Sequence, residues 1–247
     1  MSTNLLANEI MDYQKDFSNF MDIHSFPSFT IITTEVSEKE LELRGYAPAA
    51  SASYESSTQK HELVVRTNIP KEKYLFFHEF THMLDAEQYV ANQIISNKGI
   101  SGFTEYHASQ VELMQLLGAK SINDSISFTM DSPIVTIGGT KSVSQYIEEK
   151  FQLATELFSS TEIPNNEQYC MDSLGVLFNY FGLRSICKMY SVDYSENVSF
   201  GAFVKYISTY YFYALNNHMC GWFDGAKIIQ CHNIYLNILQ MIKGFQC

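Results

Sequence analysis

The chain has 247 residues, of which 46% are hydrophobic and 17% are charged. This length and composition are typical of a globular protein that buries a core of ordinary size, and they exclude an intrinsically disordered chain. The net charge of −11 argues against direct binding to nucleic acid, because contacts with phosphates need a surplus of lysine and arginine.

The N-terminal part of the chain predicts a helix over about 4–21 and a strand over 29–36. Its first residues contain neither a basic segment nor a long apolar run, so we expect no secretory signal. All five cysteines lie in the second half and none forms a C-x-x-C pair, which is typical of reduced thiols. We therefore expect a cytoplasmic protein without a membrane span.

The next segments predict a small β-structure. Residues 40–46 favour a further strand or a turn of helix. The small and polar residues of 47–60 predict a loop or a broad hairpin connection. Residues 62–67 are rich in β-branched side chains and predict a short strand.

The clearest indication of a chemical function is an H-E-x-x-H motif at residues 78–82, which read His-Glu-Phe-Thr-His. The apolar sequence around the motif predicts a helix that runs to about Tyr89. On a helix, residues i and i+4 share a face, so His78 and His82 can reach one metal ion. Imidazole ligands suit Zn²⁺, and Glu79 is placed to take a proton from a water that the metal activates.

The residues around the motif predict how its helix begins and packs. Residues 67–68 can cap the helix, and Pro70 suits its first turn. Phe76, Phe80 and Leu84 recur every four residues and form an apolar stripe that would face the core. Both histidines lie off this stripe.

Two histidines do not complete a catalytic zinc site, so a third ligand is needed. Glu105 is the favoured candidate, because it follows His82 at a distance that allows a helix end, a loop and a returning helix. Glu112, two turns further along that second helix, is the main rival. His107, Asp85 and a site with no third ligand are the remaining alternatives.

These motifs resemble the ImmA/IrrE family of metallopeptidases. The shared features begin with a strand, an Asn-x-Pro segment and an aromatic-rich H-E-x-x-H helix. Residues 105–117 are similar to the family pattern E-x-x-A-N-x-F-A-x-x-L-L, with Ser109 in place of the usual Asn and Glu112 in place of a small residue. Phe77 stands where the family typically has Ala. The resemblance covers about residues 28–118.

The resemblance implies a gluzincin-like zinc endopeptidase, in which His78, His82 and Glu105 bind Zn²⁺ and Glu79 is the catalytic base. Members of this family often occur in mobile elements or stress-response operons and cleave a helix-turn-helix repressor. The resemblance thus implies a selective intracellular protease that acts on a protein or peptide substrate of this kind. The alternatives are an inactive zinc-binding module of the same fold, a non-peptide metallohydrolase, and a helical interaction protein.

Further features of the predicted chemistry are less specific. The oxyanion of the reaction needs a second donor besides the metal, for which Tyr106, His107 and His218 are candidates. The strand over 62–67 is a candidate to pair with an extended substrate. The sequence does not predict an oligomeric state.

The second half of the chain predicts mainly helices. Residues 126–137 favour a strand or an irregular segment. Helices are predicted over 143–160, 167–188, 199–217 and 222–243. We therefore expect an α+β fold, with a small mixed β-sheet and a zincin-like H-E-x-x-H helix followed by a mostly α-helical C-terminal half. Residues 1–140 would form the metallopeptidase domain and residues 141–247 a helical domain packed on it across a cleft, or the two would form one continuous domain.

Overall fold

The computed structural model of the protein describes residues 3–36, 48–163, 165–196 and 200–244. The predicted α+β class is confirmed, with a three-stranded mixed sheet, a two-stranded hairpin and a mostly helical C-terminal half. The segment predicted over 40–46 lies outside the described residues. None of the helices in the described ranges combines the length and apolar character that crossing a membrane requires.

The described residues form the following helices and strands along the chain. In order they are α1 (Thr3–Phe20), β1 (Phe29–Thr34), β2 (Ala50–Glu55), β3 (Lys60–Arg66), α2 (Lys73–Asp85), a π-helix (Ala86–Ala91), α3 (Asn97–Leu116), β4 (Pro133–Thr136), β5 (Gly139–Ser142), α4 (Val143–Ser159), α5 (Glu167–Tyr190), α6 (Val204–Ile207), α7 (Thr209–His218) and α8 (Gly225–Gly244). The single helix predicted over 199–217 is wrong. Ser208 has a left-handed φ of 55°, which separates α6 from α7.

The three-stranded sheet has the order β1-β3-β2, with β1 parallel and β2 antiparallel to β3. The loop predicted over 47–60 is therefore partly wrong, because its alanines and serines form β2. Their weak intrinsic preference for strands is overridden by pairing with β3 and by burial of Ala50. The predicted pairing of residues 62–67 with a substrate is also wrong, since β3 already has a partner on each side.

The helix that carries the motif packs as predicted but begins later. Phe76, Phe80 and Leu84 are buried, which confirms the apolar stripe. Neither residue of the 67–68 pair caps the helix, because α2 begins only at Lys73. Asn68 instead exchanges hydrogen bonds with the backbone of Val36, at 3.0 and 3.1 Å, and so joins the chain after β1 to the chain after β3.

Helix α3 lies at the centre of the fold, between α2 and the helices of the C-terminal half. Glycines allow these close approaches: a Cβ at Gly182 of α5 would lie 2.2 Å from the Tyr106 carbonyl oxygen, and one at Gly102 would lie 2.6 Å from the Tyr235 ring. Both hydrophobic clusters of the core contain residues from either side of residue 140. Packing is therefore continuous across the predicted domain boundary.

Candidate metal centre

Helices α2 and α3 bring three potential metal ligands together. His78 and His82 lie one turn apart on α2, and Glu105 faces them from α3. Glu105 Oε2 is 3.5 Å from His78 Nε2 and 3.8 Å from His82 Nε2, and one donor atom of each residue lies within 4.8 Å of the others. Tetrahedral zinc with bonds of about 2.1 Å separates its ligand atoms by about 3.4 Å. The three side chains could therefore hold a metal ion.

The second nitrogen of each imidazole is already engaged. His78 Nδ1 lies 2.8 Å from Glu112 Oε2, and His82 Nδ1 lies 2.8 Å from Thr104 Oγ1. An ionised carboxylate can only accept, so Glu112 holds the proton of His78 on Nδ1. Metal-binding histidines usually have such a partner at the nitrogen that points away from the metal.

Glu112, the rival third ligand, lies behind His78 rather than beside Glu105. Its carboxylate is buried, contacts His78 on the Nδ1 side and accepts a hydrogen bond from the Tyr146 hydroxyl. Burial lowers the pKa of His78, but hydrogen bonds to Glu105 and Glu112 and their charges raise it to about 10. A metal that binds His78 must therefore displace a proton.

Glu105 is held from the opposite side by α5. A Cβ at Gly175 would lie 3.3 Å from Glu105 Oε1, so the carboxylate packs directly on the α5 backbone. Burial raises the pKa of Glu105, but the charges of His82 and His78 and the neighbouring polar groups of His78 and Asn179 lower it to about 2. The carboxylate is thus ionised at neutral pH, as a metal ligand must be.

Glu79 lies next to the three ligands and contacts the sheet. Its Oε2 accepts a hydrogen bond from the Ala52 backbone N–H of β2, at 2.6 Å. Burial raises the pKa of Glu79 to about 7, although the charge of His78 and the Ala52 N–H act in the other direction. A carboxyl group with a pKa near neutrality is well suited to accept and return a proton.

The remaining ligand candidates pair with each other. His107 Nδ1 lies 3.0 and 3.2 Å from the two carboxylate oxygens of Asp85, which is fully buried. The imidazole of His107 also stacks on Phe103, with ring centroids 5.4 Å apart. In the described part of the chain, only His78, His82 and Glu105 form a group with the spacing of a metal site.

The predicted oxyanion donors have other contacts. Tyr106 is fully buried and donates its hydroxyl hydrogen to the Gly221 carbonyl, which does not fit the predicted role. The His218 ring packs against Phe223 at 5.6 Å. Sequence reasoning did not identify Tyr146, Asn179 or Ala52 as neighbours of the site. These three residues lie far from the motif in sequence and carry no local pattern.

Comparisons with protein-family models, curated proteins and solved structures gave no match. Function is therefore inferred from the chemistry of the site and from the motifs of the sequence.

Proposed function

We propose that the protein is a zinc-dependent endopeptidase. The convergence of His78 Nε2, His82 Nε2 and Glu105 Oε2 carries this proposal, because the three atoms face one another while the other imidazole nitrogens are held from behind. Two nitrogens and one carboxylate form a ligand set of catalytic zinc sites, which keep a further position open for water or substrate. An intact Glu79 beside the ligands supports catalysis, since binding a metal does not require it.

In the proposed peptide hydrolysis, the residues of the site have different roles. His78, His82 and Glu105 would hold Zn²⁺, which when bound lowers the pKa of a water molecule and polarises the scissile carbonyl. Glu79 accepts the proton of the attacking water and returns it to the leaving amine. Ala52 holds one carboxylate oxygen of Glu79 and thereby leaves the other oxygen to exchange the proton.

An extended substrate would pair with the outer edge of β2, which has no strand beside it among the described residues, rather than with β3. In the antiparallel register, Ser51 and Ser53 lie opposite Val64 and Glu62. The N–H of Ala52, between these serines, points away from β3 and reaches Glu79. An outward-facing backbone edge next to the catalytic base is suited to β-strand addition, in which main-chain hydrogen bonds align a peptide.

The resemblance to the ImmA/IrrE family supports a narrow substrate range. On that basis we propose a selective intracellular regulatory protease whose substrate is a repressor-like protein, such as a helix-turn-helix repressor. Access through the β2 edge fits exposed or partly unfolded segments better than compact domains, since strand addition needs an extended chain.

The proposal is tested by metal content and hydrolysis measured in the same preparations. We expect about one zinc per chain in the wild type and strongly reduced zinc in His78→Ala, His82→Ala and Glu105→Ala. Glu79→Gln keeps the size of the side chain but cannot accept the proton. It should retain zinc and lose about 10²-fold or more of the hydrolytic rate.

Candidate substrates for this test are a denatured protein mixture and the products of neighbouring genes, with new termini mapped by mass spectrometry. Cleavage of one cognate regulator that depends on Glu79 supports the full proposal. Broad digestion of the mixture that depends on Glu79 would indicate a general peptidase instead of a regulatory protease. Zinc binding without any cleavage indicates an inactive zinc-binding module, and a wild type that binds no supplied zinc refutes the metal centre.

A further inference from the structure

The two oxygens of the Glu112 carboxylate have different partners beside the proposed metal centre. Glu112 Oε2 lies 2.8 Å from His78 Nδ1, and Glu112 Oε1 accepts a hydrogen bond from the Tyr146 hydroxyl. The side chain of Glu112 is only 4% exposed. The contact with Tyr146 therefore limits the rotation of the carboxylate and keeps its other oxygen on His78.

The start of α4 fixes the position of the Tyr146 side chain. Ser142 and Gln145 form a capping box, in which each side chain accepts a hydrogen bond from the backbone N–H of the other residue, at 3.2 and 2.9 Å. Tyr146 is the next residue of the helix. The ammonium groups of Lys141 and Lys150 lie 5.8 and 5.6 Å from the centre of its ring, within the range of cation–π attraction. The ring is thus held from β5 and from the next turn of α4.

The hydrogen bond between Tyr146 and Glu112 runs in one direction only. Burial and the charge of Glu112 raise the pKa of Tyr146 well above its ordinary value, so the phenol keeps its hydrogen. Glu112 is ionised, and an ionised carboxylate can only accept. Tyr146 therefore donates to one oxygen of Glu112 while His78 donates to the other.

We propose that Tyr146 is a positioning residue for His78, because its hydroxyl holds the Glu112 carboxylate in the place from which Glu112 orients the imidazole. This inference rests on the metal site of the proposed function. The ImmA/IrrE pattern has a small residue at position 112, so the resemblance does not imply this support. Tyr146 touches neither the metal nor the substrate in this assignment, but acts through Glu112. Helix α4 of the C-terminal half thereby takes part in forming the metal centre.

Tyr146→Phe tests this role, because it removes only the hydroxyl that donates to Glu112 and keeps the ring. Tyr74→Phe is a matched control. Tyr74 is also buried, and its hydroxyl accepts the backbone N–H of Ile137 at 3.1 Å. Each change removes one buried hydroxyl and its hydrogen bond, but only Tyr146→Phe removes the donor to Glu112. All variants are compared in the full chain.

Two readouts follow the metal centre without any assay of activity. The first is the dissociation constant for Zn²⁺, measured by competition with a chromophoric chelator. The second is the visible absorption of the Co²⁺-loaded protein, which responds to the coordination geometry. We expect Tyr146→Phe to bind zinc about 10-fold more weakly and to alter the Co²⁺ spectrum, since the loss of groups that orient a ligand typically weakens binding about 10–100-fold. Tyr74→Phe should remain close to the wild type in both.

A double-mutant cycle tests whether Tyr146 acts through Glu112. In a Glu112→Gln background, the charge that the hydroxyl holds in place is already gone. Adding Tyr146→Phe to Glu112→Gln should therefore weaken zinc binding much less than Tyr146→Phe does alone, because residues in contact act non-additively. This double variant also leaves no buried charge without its donor, which guards against a failure of Tyr146→Phe to fold.

Three results would overturn the assignment in different ways. Wild-type affinity and spectrum in Tyr146→Phe would reduce the hydrogen bond to a tie between α3 and α4 and leave the metal centre intact. An equal effect of Tyr146→Phe in both backgrounds, or an equal weakening in Tyr74→Phe, would show that Glu112 does not transmit the effect. A wild type that binds neither metal would remove the proposed centre, and this assignment with it.

Discussion

Glu112 is a buried carboxylate shared by two donors, the Nδ1 of His78 and the hydroxyl of Tyr146. Burial raises the pKa of Glu112, but its hydrogen bonds with His78 and Tyr146 and the charges of Lys150 and His78 lower the pKa below its ordinary value. The side chain is therefore ionised and keeps the His78 imidazole in one tautomer and one orientation. Such a carboxylate–histidine pair raises the basicity of the metal-binding nitrogen.

We predict that Glu112→Gln weakens zinc binding about 10–100-fold without abolishing it, because the amide can still accept a hydrogen bond but carries no charge. The measurement is a zinc titration against a chelator, with Glu105→Ala as the reference for a lost ligand. A loss in Glu112→Gln as complete as in Glu105→Ala would assign Glu112 as a ligand itself.

Some residues of the candidate site could be predicted from the sequence, and others could not. His78, Glu79 and His82 are recognisable because i, i+4 spacing is a local property of a helix. Glu105 was a favoured choice among alternatives, since no local rule distinguishes a ligand from a carboxylate behind a ligand. Asn179 and Tyr146 reach the site only through the packing of α5 and α4, which no short-range pattern encodes.

Among the elements, strand β2 combines a structural and a chemical contact. Its inward N–H groups pair with β3, while the Ala52 N–H pairs with Glu79. A proline is tolerated in an edge strand where the N–H faces away from the ladder. Position 52 therefore allows the contact with Glu79 to be removed while the pairing with β3 is kept.

We predict that Ala52→Pro lowers hydrolysis and leaves zinc content and most of the thermal stability unchanged. Loss of the N–H donor raises the pKa of Glu79 further, so less of the base is ionised at neutral pH. The control is Ser53→Pro, which removes an N–H that faces β3 and should lower the melting temperature measured by circular dichroism. Unchanged hydrolysis in Ala52→Pro would show that the contact does not tune the base.

Arg184 of α5 and Glu196 form an ion pair far from the H-E-x-x-H motif, and this pair holds the segment that follows α5. Arg184 is 1% exposed, and its guanidinium donates to Glu196 at 2.8 Å and to the carbonyl oxygens of Asn216 and Met219. Glu196 also accepts from the Asn216 amide, at 2.9 Å. Burial raises the pKa of Glu196, but Lys188, Asn216 and Arg184 lower it to about 2.

We predict that Glu196→Gln destabilises the fold at neutral pH by about 1–3 kcal/mol, because the buried Arg184 loses the charged partner of its hydrogen bonds. The pKa of Glu196 is lower in the folded than in the unfolded protein. Its contribution is therefore complete above the unfolded pKa of about 4.3 and is lost as the pH falls towards 2. Denaturant unfolding of both proteins between pH 7 and pH 2 should show the two stabilities converging in acid. A constant difference across this range would contradict the ion pair.

The elements themselves were predictable to different degrees. The helices α1, α2, α4, α5 and α8 follow from apolar periodicity, which is a local signal. Strand β2 was not predicted because alanine and serine have little intrinsic preference for strands. Its strand conformation depends on pairing with β3, which the local sequence does not indicate. The break at Ser208 was missed because a single left-handed residue leaves little trace in composition.

For the whole molecule, the continuous core across residue 140 has a thermodynamic consequence. Trp222, the only tryptophan, lies in the C-terminal half and faces His107 of α3, with ring centroids 6.3 Å apart. Its fluorescence therefore reports the contact between the two parts of the chain. Far-ultraviolet circular dichroism reports the helices of both parts.

We predict that these two signals change in one coincident unfolding transition, because the parts share their core. Zinc at about 100 times its dissociation constant should stabilise the folded state by about 2.7 kcal/mol and shift both signals together. Glu105→Ala provides the control, since it should unfold at a temperature that added zinc does not change. Two separated transitions would show that residues 1–140 and 141–247 fold independently.

The packing of α5 on Glu105 also bears on when the proposed metal centre could form during synthesis. The chain emerges from the ribosome with its N-terminus first, so the H-E-x-x-H helix and Glu105 appear well before Tyr146 and α5. Until α4 and α5 have folded, the nascent chain has its three candidate ligands but lacks the helix on which Glu105 packs and the hydroxyl that donates to Glu112. We therefore expect a nascent chain that ends before α5 to bind zinc more weakly than the folded protein.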